Sequence, residues 1–181
     1  MPTDKNPVTL RRATPDDAAR LALLAAQTFR DTYAGDNTPA DMAQHLAEHF
    51  SEQLQRAELE DGRCHTILAE SGDDGPVGYA LLREGPSPDC VGDPDAVEIV
   101  RIYVKRSHIG SGVGGSIMRG CIDLAAMKGK HTIWLGVWER NTRALGFYTR
   151  WGFVDRGTQT FTLGSDRQTD RVMSRLVKEH G

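Results

Sequence analysis

The chain has 181 residues, a length that predicts one domain over residues 1–181 with room for a sizeable core. Its formal charge of -3 gives no general electrostatic reason to bind nucleic acid or an anionic membrane, so any phosphate binding must be local. Three widely spaced cysteines, Cys64, Cys90 and Cys121, do not suit a disulfide framework or a CxxC metal site. Together with a polar start that carries no signal-peptide core, they predict a cytoplasmic protein.

The first part of the chain predicts a short strand followed by helices. Residues 8–13 alternate as a strand, and Thr14, followed by proline, marks the start of a helix that Gly35 ends. Thr38 repeats this start signal, and the apolar residues after it indicate one broken helix or two short ones. The apolar face of the first helix is predicted to be core and consists of Ala18, Leu21, Ala22, Ala25, Phe29 and Tyr33.

His45 and His49 belong to a His-x-x-Glu-His sequence, which is the inverted motif of zinc peptidases. At helical spacing, both imidazoles could face one metal ion. The motif also needs a third ligand and a deep cleft, whereas the predicted helix is short and polar. We therefore favour a solvated helix face with no metal, and keep a zinc hydrolase as an alternative.

The middle and the end of the chain predict further strands and helices. Residues 65–70 and 77–82 have the pattern of two antiparallel strands joined by a turn-rich segment, and a loop over 85–95 follows them. The later elements are a strand at 97–104, a helix that starts after a run of glycines and ends at Gly129, a strand at 131–138, a second helix at 141–151 and two final strands around a turn at 164–166.

The strand at 97–104 leads into a glycine-rich turn that opens a helix. Such a turn aims several backbone N–H groups and the positive end of the helix dipole at one point, where phosphate binds. Glycines suit the turn because a phosphate oxygen must come within hydrogen-bond range of the main chain. The sequence therefore predicts a phosphate site at residues 110–115.

Two common phosphate motifs fit these glycines poorly. Gly110, Gly112 and Gly115 satisfy G-x-G-x-x-G, and Glu139 follows roughly where a dinucleotide-binding protein has its acidic residue. However, the residues from 105 to 109 separate the strand from the first glycine, and too little chain follows for a doubly wound sheet. A P-loop would also require lysine directly after the last glycine, where this chain has serine.

A second motif, later in the chain, resembles a known family. Residues 141–153, NTRALGFYTRWGF, resemble the N…A…FY…GF segment of the GCN5-related N-acetyltransferases. Residues 104–114 resemble the pyrophosphate-binding strand, loop and helix of that family, and the order and separation of the two motifs also match it. Residues 10–17 agree more weakly. Ile109 departs from the family, which usually has glutamine or arginine three residues before the glycine at Gly112.

This resemblance implies a fold and a co-substrate, and it implies no metal. The fold is α/β (α+β), with a mixed, mostly antiparallel central sheet of about seven strands, flanked by helices and splayed between strands 4 and 5. The pantetheine arm of acetyl-CoA would lie in the splay and its pyrophosphate on the loop amides, with Lys105, Arg106 or Arg143 in reach of the nucleotide phosphates. The residues implied in acetyl-CoA binding are Ile102, Tyr103, Val104, Ile109, Gly110, Ser111, Gly112, Val113, Gly114, Gly115 and Asn141.

The family also implies the reaction, in which an amine attacks the acetyl thioester directly. Tyr148 is the expected proton donor, because a phenol with a pKa of about 10 can protonate a thiolate whose thiol has a pKa of about 8.5. Glu98 is the expected general base, acting through a water from the strand face that Val100, Ile102 and Val104 define. A salt bridge from Glu98 to a neighbouring arginine is the alternative.

The expected acceptor is a small-molecule amine or a peptide amine. Residues 164–173 and 28–33 resemble the PaiA-type polyamine acetyltransferases, which implies spermidine or spermine. Asp31, Asp36 or the acidic residues of the 89–95 loop would then pair with the cationic nitrogens, while peptide N-termini and aminoglycosides stay open as acceptors. The alternative function is an acyl-CoA-binding regulatory module without catalysis, and a homodimer is compatible with either.

Overall fold

The structure, a computed structural model, describes residues 7–72 and 74–178. Residues 1–6, the polar start in which no signal peptide is predicted, and Asp73 of the predicted turn lie outside these ranges. Within the described ranges, seven strands form one sheet and five α-helices pack around it. The strands are β1 Val8–Arg12, β2 Cys64–Ser71, β3 Gly75–Glu84, β4 Val97–Val104, β5 Thr132–Trp138, β6 Val154–Leu163 and β7 Asp166–Leu176. The helices are α1 Ala18–Tyr33, α2 Pro39–His49, α3 Glu52–Glu60, α4 Val113–Met127 and α5 Thr142–Arg150.

The sheet is mixed and mostly antiparallel. Its strand order is β1-β2-β3-β4-β5-β7-β6, and each neighbouring pair is antiparallel except β4 and β5, which are parallel. A parallel pair requires a crossover connection, and α4 lies in the segment that joins these two strands. The predicted mixed sheet of seven strands with flanking helices is therefore confirmed. Among the described residues, no helix combines the length and the apolar character needed to cross a lipid bilayer.

Each face of the sheet has its own core. On one face, Ile117 and Cys121 of α4 are fully buried against the central strands. On the other face, α1 packs Leu21 and Phe29 against Leu68 of β2. Burying one such apolar side chain stabilises a fold by roughly 1.5–3 kcal/mol, so the two cores fix α1 and α4 on opposite faces of the sheet.

Two short helices, rather than one broken helix, follow α1. Thr38 caps α2 by accepting a hydrogen bond from the backbone N–H of Asp41 at 3.1 Å. Ser51 caps α3 in the same way, through the backbone N–H of Leu54 at 3.3 Å. Because each helix has its own N-cap, the chain leaves the helical conformation between them, at Phe50.

A β-bulge interrupts β4 at Val100. Across the pair of β3 and β4, Leu82 lies opposite Ile99 and Leu81 lies opposite Arg101, so Val100 has no partner on β3. An extra residue in one strand moves every later side chain to the other face of the sheet. Along β4, therefore, odd-numbered residues face the α4 core before the bulge and even-numbered residues face it afterwards.

The bulge makes the predicted face of Glu98 wrong. Ile99 packs in the α4 core before the bulge, and Ile102 and Val104 pack there after it. Because side chains alternate along a strand, Glu98 lies on the opposite face from Ile102 and Val104. Its neighbour across the ladder is Arg83 of β3. A strand without the bulge would have placed Glu98 and Ile102 together, which is the source of the error.

A part-buried ion pair ties β1 to the start of α1. Arg11 donates two hydrogen bonds to Asp17, at 2.8 and 2.7 Å, and two more to Glu70 of β2, at 3.0 and 2.9 Å. The backbone N–H of Thr14 also donates to Asp17, at 2.8 Å. Hydrogen bonding, above all from Arg11, lowers the pKa of Asp17 to about 2.

We expect the contribution of Asp17 to stability to be lost in acid. Its pKa falls from an ordinary value of 3.8 to about 2 on folding, so the unfolded chain binds a proton first as the pH falls. The stabilisation is complete above the unfolded pKa and disappears as the pH falls through the folded pKa. The difference in unfolding free energy between the wild type and Asp17→Asn should therefore shrink by about 2 kcal/mol between about pH 6 and about pH 2, as measured by urea denaturation. A difference that stays constant with pH would contradict this expectation.

Candidate active site

β4 and β5 separate soon after they begin. Their parallel pairing covers only Val97 with Ile133 and Glu98 with Trp134. Beyond these pairs, the main chain of β4 faces a gap on that side rather than a strand. The predicted splay between strands 4 and 5 is therefore confirmed. Because backbone N–H and C=O groups require hydrogen-bond partners, this edge of β4 suits a ligand that bonds to the main chain.

A cleft of about 450 Å³ fills the gap and passes through the sheet. Tyr33 of α1 borders the cleft on one face, and Phe147 and Tyr148 of α5 border it on the other. The cleft therefore has one mouth beside α1 and another beside α4 and α5. The predicted acetyl-CoA-binding residues that line it are Ile102, Tyr103, Val104, Ile109, Gly110, Gly112, Gly114, Gly115 and Asn141.

Two of the predicted binding residues, Ser111 and Val113, do not line the cleft. The hydroxyl of Ser111 donates to the backbone C=O of His108 at 2.5 Å. The side chain of Val113 is buried in the α4 core. Both residues stay predicted contacts of acetyl-CoA through their backbone N–H groups alone.

The glycine-rich turn leaves the first N–H groups of α4 without a capping side chain. Gly112 is the N-cap of α4, and a glycine has no side chain that could accept a hydrogen bond from them. Gly110 and Gly112 have φ of 80° and 90°, in the left-handed region that favours glycine. A Cβ at either position would meet no atom within 4 Å, so the approach to the turn is open. Free N–H groups, an open approach and the positive end of the helix dipole fit a pyrophosphate.

Arg143 and Arg150 of α5 are the arginines of this helix that border the cleft. The sequence predicted Arg143 as a phosphate contact together with Lys105 and Arg106. The structure places Arg143 at the cleft, but Lys105 and Arg106 do not line it. Arg106 lies instead in a 3-10 turn, Arg106–His108, that carries the chain from β4 to the glycines. The turn lies within residues 105–109, which separate β4 from the first glycine and made the dinucleotide motif a poor fit.

Tyr148 is held in place by neighbours on α5 and by the strand that follows. Asn141 caps α5 by accepting a hydrogen bond from the backbone N–H of Ala144 at 3.2 Å. The Tyr148 ring packs against the rings of Phe147 and Phe153, with centroids 5.5 and 5.8 Å away. Burial raises the pKa of Tyr148 above its ordinary value, so the phenol keeps its proton at neutral pH.

Two further tyrosines form the wall of the cleft on the α1 face. The hydroxyl of Tyr103 donates to that of Tyr33 at 3.4 Å, and the Tyr33 ring lies 5.9 Å from the ring of Trp138. Burial raises the pKa of Tyr33, and it raises that of Tyr103 well above the ordinary value. The sequence predicted Tyr33 as core and Tyr103 as a main-chain contact, whereas both residues line the cleft.

Glu98 does not border the cleft, although Ile99 and Val100 beside it do. It shares its sheet face with Arg101, which makes two hydrogen bonds of 2.7 Å to the carboxylate of Glu58 on α3. Burial raises the pKa of Glu98, which suits a general base. The role of Glu98 as a base stays a prediction.

The acidic residues expected to pair with an acceptor do not line the cleft. Asp31 and Asp36 are exposed, and Asp95 of the 89–95 loop accepts a hydrogen bond from Lys130 at 2.6 Å. Asp170 on β7, which the sequence reasoning missed, does not line the cleft either, but its Oδ2 lies 3.2 Å from the position of a Cβ built on the cleft residue Gly136, and it is 8% exposed. The available signal was its alternation with the buried Val172, which places Asp170 on an inward strand face.

The connection between α1 and α2 is bonded to the hairpin of β6 and β7. The backbone N–H of Ser165 donates to Asp41 at 2.9 Å, and the side-chain amide of Gln168 donates to Asn37 at 2.9 Å. Asn37 in turn donates to the backbone C=O of Tyr33 at 2.8 Å. These bonds therefore join segments that lie far apart in the sequence, next to Tyr33, which lines the cleft.

His45 belongs to the core of the α1 face rather than to a solvated helix face. Its ring stacks on Phe29 with centroids 4.5 Å apart, and it is 5% exposed, whereas His49 is exposed. Burial lowers the pKa of His45 to about 4, so it is neutral at neutral pH. Among the described residues there is no group of three or more histidine, cysteine or acidic side chains that could hold a metal. The zinc alternative therefore has no third ligand in the described part of the chain.

Comparisons with known proteins agree with this fold and cleft. The model of the acetyltransferase (GNAT) family matches residues 26–153. An uncharacterized N-acetyltransferase of Lactobacillus delbrueckii subsp. lactis is 30% identical over 94% of this chain and 98% of its own length. A probable spermine N(1)-acetyltransferase of Bacillus subtilis subsp. natto is 27% identical over 70% of this chain and 87% of its own length.

Solved structures show the same fold. The PaiA N-acetyltransferase of Thermoplasma acidophilum, in complex with coenzyme A, aligns with a TM-score of 0.75 and 18% identity, over 94% of this chain and 99% of that one. The matching family model and relatives place a protein with this splayed strand pair and glycine-capped helix among the acetyltransferases. The chain belongs to the GNAT family of acetyltransferases and is an acetyl-CoA-dependent N-acetyltransferase.

Proposed function

We propose that this N-acetyltransferase acetylates a primary amine of a polyamine such as spermidine or spermine. The observation that carries the proposal is the passage of the cleft through the sheet, which gives donor and acceptor separate mouths. Tyr33 lines the cleft beside α1, and Asp170 lies behind the lining residue Gly136, near enough for its charge to raise the pKa of Tyr33; an aromatic ring and a carboxylate suit a cationic amine. The likeness to a probable spermine acetyltransferase and to a PaiA protein supports the same substrate class.

On the donor side, the pyrophosphate of acetyl-CoA would bind to the backbone N–H groups of residues 109–115, and the pantetheine arm would follow the free edge of β4. Arg143 would reach the nucleotide phosphates from α5. Ile109 is 42% exposed where related proteins usually have glutamine or arginine. Because backbone amides carry the binding in this arrangement, the isoleucine leaves the phosphate contacts in place.

The reaction that this site supports is direct attack of the neutral amine on the thioester carbon. Tyr148 would protonate the departing thiolate, since its phenol keeps its proton and lines the cleft. The sequence predicted Glu98 as the base, acting through water; burial raises its pKa, but Glu98 does not line the cleft. We also propose the cytoplasm as the place of action, since the free cysteines suit a reducing compartment.

An acceptor panel tests the substrate class. Release of free CoA would be followed with spermidine, spermine, an aminoglycoside and a peptide with a free N-terminus. We expect the polyamines to have a kcat/KM at least about tenfold above the others, because the aromatic ring of Tyr33 and the nearby carboxylate of Asp170 favour a cationic amine. A preference for the aminoglycoside or the peptide would refute the polyamine substrate and leave the acetyltransferase activity standing.

A further inference from the structure

Asp170 is a buried carboxylate without a partner. It lies on β7 opposite Trp138 of β5 and Gln159 of β6, and it is 8% exposed. Among the described residues, none makes a hydrogen bond or an ion pair with its side chain. Burying an ionised carboxylate costs free energy unless it is paired with a positive charge. A cationic ligand that pairs with Asp170 would therefore offset the free-energy cost of its burial.

Asp170 lies next to the cleft because Gly136, which lines the cleft, has no side chain between them. Gly136 lines the cleft, and a Cβ built on it would lie 3.2 Å from Oδ2 of Asp170 and 2.5 Å from Nε2 of Gln159. The carboxylate and the amide therefore lie over the glycine, where another residue would have its side chain. Gly136, Gln159 and Asp170 together form what we term the ammonium recess.

Within residues 7–72 and 74–178, no cationic side chain pairs with Asp170 in the ammonium recess. From α1 the titratable group that faces Asp170 is Tyr33, whose pKa the charge of Asp170 helps to raise. Trp138 of β5 and Gln159 of β6 are uncharged. Burial alone raises the pKa of Asp170 to about 6, so the group is mostly ionised at neutral pH but remains basic enough to take a proton.

We propose that the ammonium recess binds the protonated acceptor amine and that Asp170 takes one proton from it before the attack. This inference rests on the proposed N-acetylation of a primary amine and replaces Glu98 as the group that deprotonates the acceptor. The Tyr33 ring, which borders the cleft, and the adjacent Trp138 ring would contact the apolar part of the amine. A primary aliphatic amine fits this site, whereas a carboxylate-bearing acceptor would be repelled by Asp170.

The proton and electron balance of the step is complete with the groups present. The ammonium gives one proton to the Asp170 carboxylate, and the lone pair left on nitrogen forms the N–C bond while the carbonyl electron pair moves to oxygen. When the electron pair on the oxygen re-forms the carbonyl bond, the C–S bond breaks and the sulfur takes the proton of the Tyr148 hydroxyl. The second nitrogen proton restores Tyr148 through water, and Asp170 releases the first proton to solvent.

The test compares Asp170→Asn with Asp155→Asn in the full chain. Asp155 is the matched control because it is a β6 carboxylate, 46% exposed and paired with Arg171 at 3.2 Å, that does not line the cleft. Acetylation of spermidine and of n-butylamine would be followed by CoA release from about pH 5 to about pH 9. Calorimetry would measure CoA binding, and then the binding of each amine to the CoA complex.

We expect Asp170→Asn to lower kcat/KM by at least about 30-fold at neutral pH and to weaken amine binding about tenfold, with CoA binding unchanged. In the wild type, kcat/KM should rise with pH through about 6 and then level off. This acid limb with its plateau should be absent in Asp170→Asn, whose kcat/KM should instead rise up to about pH 9 with the fraction of amine that is neutral in solution. Asp155→Asn should behave as the wild type does.

Three results would overturn the inference. The first is an Asp170→Asn variant that keeps both its kcat/KM and its amine affinity. The second is loss of the acid limb in Glu98→Gln but not in Asp170→Asn, which would assign the base to Glu98. The third is a wild-type CoA complex that binds neither amine. Turnover of n-butylamine without turnover of spermidine would refute the polyamine substrate alone, and the Asp170 comparison would then be made on n-butylamine.

Discussion

Replacing Tyr148 by phenylalanine should lower kcat by about 10² to 10³-fold and leave the Kd for acetyl-CoA within about twofold. The hydroxyl is the group lost, and the ring contacts to Phe147 and Phe153 remain. Burial makes this phenol a weaker acid, but the same surroundings raise the pKa of a thiolate formed beside it, so proton transfer to sulfur stays favourable. Single-turnover kinetics and calorimetry would separate the chemical step from binding.

Tyr79→Phe provides the matched control. Tyr79 is also a buried tyrosine, but it packs in the α1 core, and its hydroxyl has no hydrogen-bond partner among the described residues. Removing that hydroxyl should leave turnover unchanged and stability equal or slightly higher. If Tyr148→Phe turned over as fast as the wild type across the pH range, the proton would have to reach sulfur from another group.

Replacing Gly112 by alanine should weaken acetyl-CoA binding by about 100-fold, equivalent to the loss of about two charge-assisted hydrogen bonds. Gly112 has a φ of 90°, which costs an L-residue roughly 1–2 kcal/mol. An alanine would relieve this strain by turning the backbone N–H groups at the start of α4 away from their common point. Calorimetry with acetyl-CoA measures the effect directly.

Gly129→Ala is the control that distinguishes the loss of acetyl-CoA binding from the effect of backbone strain. It has a φ of 70° just beyond the other end of α4, and a Cβ there would also meet no atom within 4 Å. Gly129→Ala should therefore lower the unfolding free energy by a similar amount while acetyl-CoA binding stays unchanged. Equal affinities in the wild type and Gly112→Ala would show that the phosphates bind elsewhere.

The order of the elements was predictable because the signals that set it are local. N-caps such as Thr38, the glycines of the turn and the period of the apolar residues each act within a few positions of the chain. The glycine-rich turn at the start of α4 was predictable for the same reason, since the turn and the helix are contiguous. The function followed from a resemblance, because the spacing of two motifs, rather than either motif alone, identified the family.

The errors arose where distant parts of the chain decide the outcome. The face of Glu98 depends on a bulge at Val100, and a strand pattern without its pairing partner does not show a bulge. His45 looked solvated because its helix is polar, but Phe29 of another helix buries it. Asp170 was missed because its relation to the cleft depends on the absent side chain of Gly136, a residue on a different strand.

The gap between β4 and β5 opens to both faces of the sheet. In the proposed reaction, acyl donor and amine bind from opposite faces at the same time, so the acetyl group passes directly to the amine without a covalent intermediate on an enzyme side chain. Separate mouths would also allow selection to act on donor binding and on acceptor binding independently. The turn at Gly112 is the proposed site of a donor common to the family, while the contacts of Asp41 with Ser165 and of Asn37 with Gln168 lie on the side of α1. Residues on that side could change with the acceptor while the proposed phosphate site stays the same.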